Sequence, residues 1–147
     1  MRRPQSDEHA PYYRGYVDRV PDGDVIAQLE VQVEGTCAAL EGLDEEQAAV
    51  RYAPGKWSLK ELLGHVVDTE RIFQGRFLRI VRGDETPLPG FDQDPYIESA
   101  GFDRRSMGDL LAEYRSVRAA TLTLLRCADA EACNRSAVVS SAPMVAC

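Results

Sequence analysis

Residues 56–83, KWSLKELLGHVVDTERIFQGRFLRIVRG, carry the strongest helix signal in the chain. Ser58 is followed three residues later by Glu61, a capping-box pattern in which each side chain bonds to a backbone N–H of the other residue. Gly83 follows a basic last turn, and glycine after basic residues is a common helix stop. These signals predict one long helix between Ser58 and Gly83.

Apolar residues recur along this helix at three- and four-residue spacing, which predicts one broad face that packs against other helices. His65 projects at the edge of that face, and Asp68 lies one turn further along, toward solvent. Glu70 projects into the face, where a lone carboxylate is costly to bury, so it must find a hydrogen-bond donor or a metal ion, or stay protonated. Arg118, on a later predicted helix, is the partner suggested for Glu70. From the residues alone, His65 is either a hydrogen-bonded structural histidine or a metal ligand.

Two further amphipathic helices flank the central one. The first is predicted from Asp24 to Glu41, and the last from the cap Ser106 to about Cys127. Residues 43–53 predict a short helical turn. Residues 84–102 hold three prolines and two glycines, which predicts a long connection without a helix. We expect a single domain made of an N-terminal arm (1–21, with a short turn near residues 12–16), three main helices within 22–127, and an irregular tail (128–147).

The composition bounds the class of protein. A chain of 147 residues with 44% hydrophobic and 28% charged residues is typical of one globular domain with a real core. A net charge of −7 and a pI near 4.8 argue against a general nucleic-acid-binding protein. The sequence shows neither an apolar run long enough to span a membrane nor the apolar core of a signal peptide, so we expect a cytoplasmic protein without a membrane partner.

The four cysteines are Cys37, Cys127, Cys133 and Cys147. No Cys-x-x-Cys pair occurs among them, so neither a disulfide framework nor a zinc knuckle is indicated. We therefore expect free thiols, with Cys37 a small core residue on the first long helix.

The stretches RYAPGKWSLKELLGHVVDTERIF (51–73) and RGDETPLPGFDQDPYIESAGFD (82–103), followed by the last helix, resemble the DinB-like superfamily and in particular its YfiT-like branch of metal-dependent hydrolases. The resemblance extends from about Tyr12 to Ala142. It implies an all-α fold, an antiparallel four-helix bundle with a long crossover loop, often found as a dimer. Here the fourth helix is expected to be absent or incomplete.

The resemblance also implies a divalent metal, nickel or zinc among others, held by three histidines. One histidine comes from the position matched by His65, and two come from a His-x-x-x-His pair on the last helix. That pair does not occur in this sequence, whose two histidines are His9 and His65. The resemblance therefore implies that His65 is a partial metal ligand, with Asp68 a weak candidate beside it, or that no metal is bound. His9 is a poor candidate because it lies in the arm, and no catalytic residue is assigned.

Two functions follow as hypotheses. The first is a protein related to divalent-metal-dependent thiol transferases and hydrolases, unable to form the full three-histidine site in this chain, with a low-molecular-weight thiol or another small molecule as its partner. The second is a non-catalytic helical homodimer or interaction module, because three helices without a fourth leave an apolar face uncovered. Whether the chain is an enzyme, which substrate it takes and which metal it holds are not decided by the residues.

Overall fold

The structure, a computed structural model, describes residues 1–139 and the backbone of residues 142–145. The described chain is mostly helical, with one two-stranded antiparallel sheet near its end. None of the described helices is both long enough and apolar enough to cross a membrane. The elements are a 3-10 turn at Pro11–Tyr13, α1 (Arg14–Val17), α2 (Val25–Leu40), α3 (Glu45–Ala48), α4 (Leu59–Val81), α5 (Gln93–Ala100), a 3-10 turn at Phe102–Arg104, α6 (Met107–Arg126), α7 (Ala130–Cys133), β1 (Ser136–Val139) and β2 (Ala142–Val145).

The central helix α4 begins and ends as predicted. The Ser58 hydroxyl accepts the backbone N–H of Glu61 at 3.1 Å, and the Glu61 carboxylate accepts the N–H of Ser58 at 2.8 Å, which completes the capping box. At the other end Gly83 has φ 77°. The N–H groups of Gly83 and Asp84 donate to the carbonyls of Ile80 and Arg79, the pair of bonds that defines a Schellman motif.

The other predicted helices are also present, with ends close to those expected. Asp24 caps α2 by accepting the N–H of Ile26 at 3.1 Å. Ser106 caps α6 by accepting the N–H of Asp109 at 3.0 Å. The short turn after residue 43 is α3, which has its own capping box between Asp44 and Gln47.

Two predictions about the connections were wrong. Residues 84–102 contain the helix α5, which Asp92 caps by accepting the N–H of Asp94 at 3.2 Å. Pro95 lies in the first turn of α5, where its missing N–H costs no helical hydrogen bond. The tail was expected to be irregular, yet Asp129 caps the short helix α7, and β1 pairs with β2 in the register Val138 to Pro143.

Pro143 fits the sheet because both strands of a two-stranded sheet are edge strands. The backbone of Leu88 also joins this region, since its N–H donates to the carbonyl of Val138 at 2.9 Å. Cys37 and Cys127 are free thiols, as expected. Cys133 is disulfide-bonded, contrary to expectation, and Cys147 lies outside the described residues.

Two compact units make up the chain. Unit 1 holds Met1–Glu30, Phe73–Gly90 and the described residues from Leu122 onward, and its small core contains Ile80, Leu88, Ala137 and Val139. Unit 2 holds Val31–Ile72 and Phe91–Thr121. The core of unit 2 is larger and includes Val33, Cys37, Leu63, Val67, Ile97, Phe102, Leu110 and Tyr114.

Candidate functional site

His65 lies on the N-terminal half of α4, in unit 2, and its side chain is half-buried. Its imidazole packs against the indole of Trp57, with the ring centroids 4.8 Å apart and the planes at 47°. Its Nδ1 atom lies 3.4 Å from the hydroxyl oxygen of Thr69, one turn further along the helix. The imidazole is thus held on one side by an aromatic ring and on another by a hydroxyl group.

Burial of the imidazole lowers the pKa of His65 below its ordinary value, although the negative charges of Asp68 and Asp94 act in the opposite direction. The neutral imidazole is therefore favoured near neutral pH. In that form the ring has one nitrogen that donates a hydrogen bond and one that accepts.

Asp68 lies within a cluster of charged side chains. Arg71 is 3.6 Å from Asp68 and also binds Glu113 at 2.6 Å, and Glu113 binds Arg105 in turn. Burial raises the pKa of Asp68, while the positive charge of Arg71 lowers it. Asp68 is thus engaged in an ion-pair network.

Glu70, whose role the sequence left open, is paired with Arg118 as suggested. The guanidinium of Arg118 also donates to the Gln32 side-chain oxygen at 2.9 Å and lies over the Tyr114 ring. Glu70 therefore has a cationic partner, and the pair lies in the interior of unit 2.

A divalent metal requires several donors around one point, usually four for zinc. Within residues 1–139, the part whose side chains are described, no group of three or more His, Cys, Asp or Glu side chains is placed to hold a metal. His9 belongs to unit 1, where its Nδ1 lies 3.0 Å from the carbonyl oxygen of Ala10. The described donor set therefore does not fit a three-histidine metal centre.

A cleft of about 740 Å³ opens in unit 2 in front of Trp57. Its walls come from α3 and the loop after it, from the start of α4 and from the start of α5. Trp57 and Asp94 connect the cleft to His65, the first by ring contact and the second by its charge. The residues that line the cleft are Gln47, Val50, Tyr52, Gly55, Lys56, Trp57, Ser58, Leu59, Leu62, Gln93 and Asp94.

A polar network holds the rim of the cleft at the start of α4. Asp103 accepts the hydroxyl of buried Ser58 at 2.6 Å and the guanidinium of Arg51 at 2.6 Å. Arg51 also binds Glu61 and donates to the carbonyl of Lys56 at 2.8 Å. Sequence reasoning found the Ser58 and Glu61 cap but missed Arg51 and Asp103. No local pattern links these two, because they are 52 positions apart in the sequence.

Known proteins resemble this chain in sequence and in fold. A family model described as the DinB superfamily matches residues 28–143. A solved structure of YfiT from Bacillus subtilis, described as a probable metal-dependent hydrolase with an unusual four-helix bundle topology, superposes with a TM-score of 0.73 at 19% identity. The match covers 82% of this chain and 70% of the YfiT chain. No curated protein sequence matches the chain.

The likeness to YfiT concerns the fold alone, because the identity is low. It confirms the predicted all-α helical bundle. Metal dependence is stated of YfiT, and within the described part of this chain no group of side chains reproduces a metal centre.

Proposed function

This chain belongs to the DinB superfamily, and on that premise we propose that it is a diverged relative of divalent-metal hydrolases and thiol transferases that does not form a complete three-histidine centre on its own. His65 is the partial ligand in this proposal, and Asp68 is the weak candidate beside it. The observation that carries the proposal is that the sequence has only two histidines, while His65 itself contacts Trp57 and Thr69.

Nickel or zinc is the metal that the resemblance implies, and His65 is the one histidine that matches a ligand position of the family, where a stable site needs several donors. What His65 offers in this structure is a neutral imidazole beside an aromatic wall. Asp68 is held by Arg71, so its use as a ligand would break an ion pair.

Metal analysis tests this proposal directly. The purified chain, incubated with Ni²⁺ or Zn²⁺ and desalted, is expected to retain less than about a tenth of an equivalent by mass spectrometry. His65→Ala removes the candidate ligand, and His9→Ala is the matched control because it removes the other histidine of the sequence, which matches no ligand position of the family. Retention near one equivalent, lost in His65→Ala but kept in His9→Ala, would overturn the proposal and favour a metal enzyme.

A small-molecule partner, a low-molecular-weight thiol or another compound, belongs to the same proposal. It is supported by the volume of the cleft, since ligand sites commonly enclose about 300–1,000 Å³. Isothermal titration of the chain with a thiol and with its S-methylated form measures whether the sulfur contributes. Binding of both forms with equal affinity would favour a ligand other than a thiol.

A second candidate function is a non-catalytic homodimer. Leu62 and Val66 lie one turn apart on α4 and are exposed to 47% and 37%, although their neighbours Leu63 and Val67 are buried. An apolar strip of this kind fits the same strip of a second copy, because a two-fold interface uses one patch twice. Light scattering at several concentrations, with Val66→Glu as the variant, tests this function, and a monomer at every concentration would contradict it.

A further inference from the structure

The cleft beside Trp57 carries two charged side chains of opposite sign that have no ion-pair partner among the described residues. Lys56 and Asp94 both line the cleft and are exposed. Most other charged groups of unit 2 are paired, as Lys60 is with Glu45. The two charges of the cleft therefore remain available to a ligand.

Several other residues that line the cleft are large, apolar and exposed. Tyr52 is 82% exposed, Val50 58% and Leu62 47%, and each of them lines the cleft together with Trp57. Large apolar side chains gathered at one concave surface are typical of a binding site, and aromatic rings favour flat apolar partners. Gln47 and Gln93 add neutral hydrogen-bonding groups to the same surface.

We propose that this cleft binds a zwitterionic amphipathic molecule of the amino-acid class, with an aromatic or large aliphatic body. The body lies against Trp57 and Tyr52, the carboxylate faces Lys56, and the ammonium group faces Asp94. The inference rests on the small-molecule part of the proposed function and names the ligand class for it. It requires no metal, so it is tested in the presence of a chelator.

Trp57 provides the readout because it is the only tryptophan in the sequence and lines the cleft. L-Phenylalanine is expected to change its fluorescence saturably, with a Kd on the order of millimolar. Two analogues each lack one charge: 3-phenylpropionate has no ammonium group, and phenethylamine has no carboxylate. Each is expected to bind about three- to fivefold more weakly than L-phenylalanine, because exposed ion pairs contribute little individually.

The variants assign each charge to its residue. Lys56→Met is expected to weaken the binding of L-phenylalanine and of 3-phenylpropionate and to leave the binding of phenethylamine unchanged. Asp94→Asn is expected to weaken the binding of L-phenylalanine and of phenethylamine and to leave the binding of 3-phenylpropionate unchanged. Both residues are exposed, so neither change should unfold the chain. Arg82→Met and Asp7→Asn are the matched controls, because both residues are exposed and neither lines the cleft.

Two results would overturn the inference. One is the lack of a saturable response to L-phenylalanine at concentrations up to about 20 mM. The other is an equal affinity for all three compounds, both in the unmodified chain and in every variant. Since a chelator is present throughout, a failure here is separate from the outcome of the metal analysis.

Discussion

Arg118 holds Glu70 in a bidentate ion pair, with Nε–Oε1 and Nη2–Oε2 distances of 2.8 and 2.9 Å. Both side chains are almost fully buried, with 7% and 10% of their surface exposed. Two parallel N–H···O bonds use the planar shapes of both groups, which makes this geometry stronger than a single contact. The pair joins the α4 and α6 segments of unit 2 through their interior.

Removal of one partner of this pair should be costly. Glu70→Gln leaves the Arg118 charge buried without its counter-charge, so we expect the free energy of unfolding to fall by about 3–5 kcal/mol. Urea denaturation followed by circular dichroism measures the change. Arg115→Gln is the matched control on α6, the helix of Arg118, because the pair of Arg115 with Glu41 is exposed and should contribute at most about 1 kcal/mol.

The double variant Glu70→Leu with Arg118→Met separates charge from packing. We expect it to be clearly more stable than Glu70→Gln, because the removal of both charges also removes their desolvation cost. Equal losses in Glu70→Gln and Arg115→Gln would contradict this account of the pair.

Gly64 permits the close approach of Phe102 to α4. A Cβ atom at position 64 would lie far inside van der Waals contact with the Phe102 ring, which is itself buried. Gly64→Ala should therefore lower the free energy of unfolding by about 1–3 kcal/mol. Gly75 is also on α4, but a Cβ there meets nothing within 4 Å. Gly75→Ala should stabilise the chain by about 0.5–1 kcal/mol, and the opposite order of the two variants in thermal melts would refute this explanation.

The half-buried His65 should make stability depend on pH. Its folded pKa is depressed by burial, so its contribution to stability is present above the unfolded pKa, near 6.5, and is lost as the pH falls through the folded pKa. We expect the urea midpoint to fall between about pH 7.5 and pH 5, and to fall less in His65→Gln. NMR titration of the imidazole should place its midpoint below 6.5. An equal pH dependence in the two proteins would show that His65 is not responsible.

The Ser58 hydroxyl serves two partners at once, since it caps α4 and donates to Asp103 at 2.6 Å. Ser58→Ala should lower the free energy of unfolding by about 2 kcal/mol, because it removes the cap and leaves a carboxylate oxygen of Asp103 without its donor. Ser106 caps α6 and is the comparison, with an expected cost of about 1 kcal/mol for Ser106→Ala. Chemical denaturation of both variants should give the larger loss for Ser58→Ala, and equal losses would rule out the second role.

The long helices could be predicted because their signals are local. The Ser58 cap, the Gly83 stop and the need of Glu70 for a donor, a metal ion or a proton each follow from a few neighbouring residues and from the helical period. Helix α5 was missed because the prolines and glycines of residues 84–102 suggested a loop, whereas Pro95, the proline within α5, lies in the first turn, which tolerates it. The strand pair was missed because a short hairpin with a proline has a weak pattern of its own.

The candidate site was predicted less completely than the fold. His65 stood out because histidine is rare in this chain, but its neighbours come from other segments. The sequence places Trp57 directly before the Ser58 cap. It does not reveal the contact of Trp57 with His65, because that contact depends on the path of the loop. Lys56 and Asp94 meet at one cleft through the folding of α5 toward α4 within unit 2, which spacing along the chain does not reveal.

The chain has only two lysines, and they differ sharply in surroundings. Lys60 is 4% exposed and its ammonium group is bound to Glu45, whereas Lys56 is exposed at the mouth of the cleft. Amine-directed reagents should therefore modify the cleft lysine first among side chains. A fluorophore, cross-linker or affinity tag could thus be installed at this surface without engineering a new attachment point.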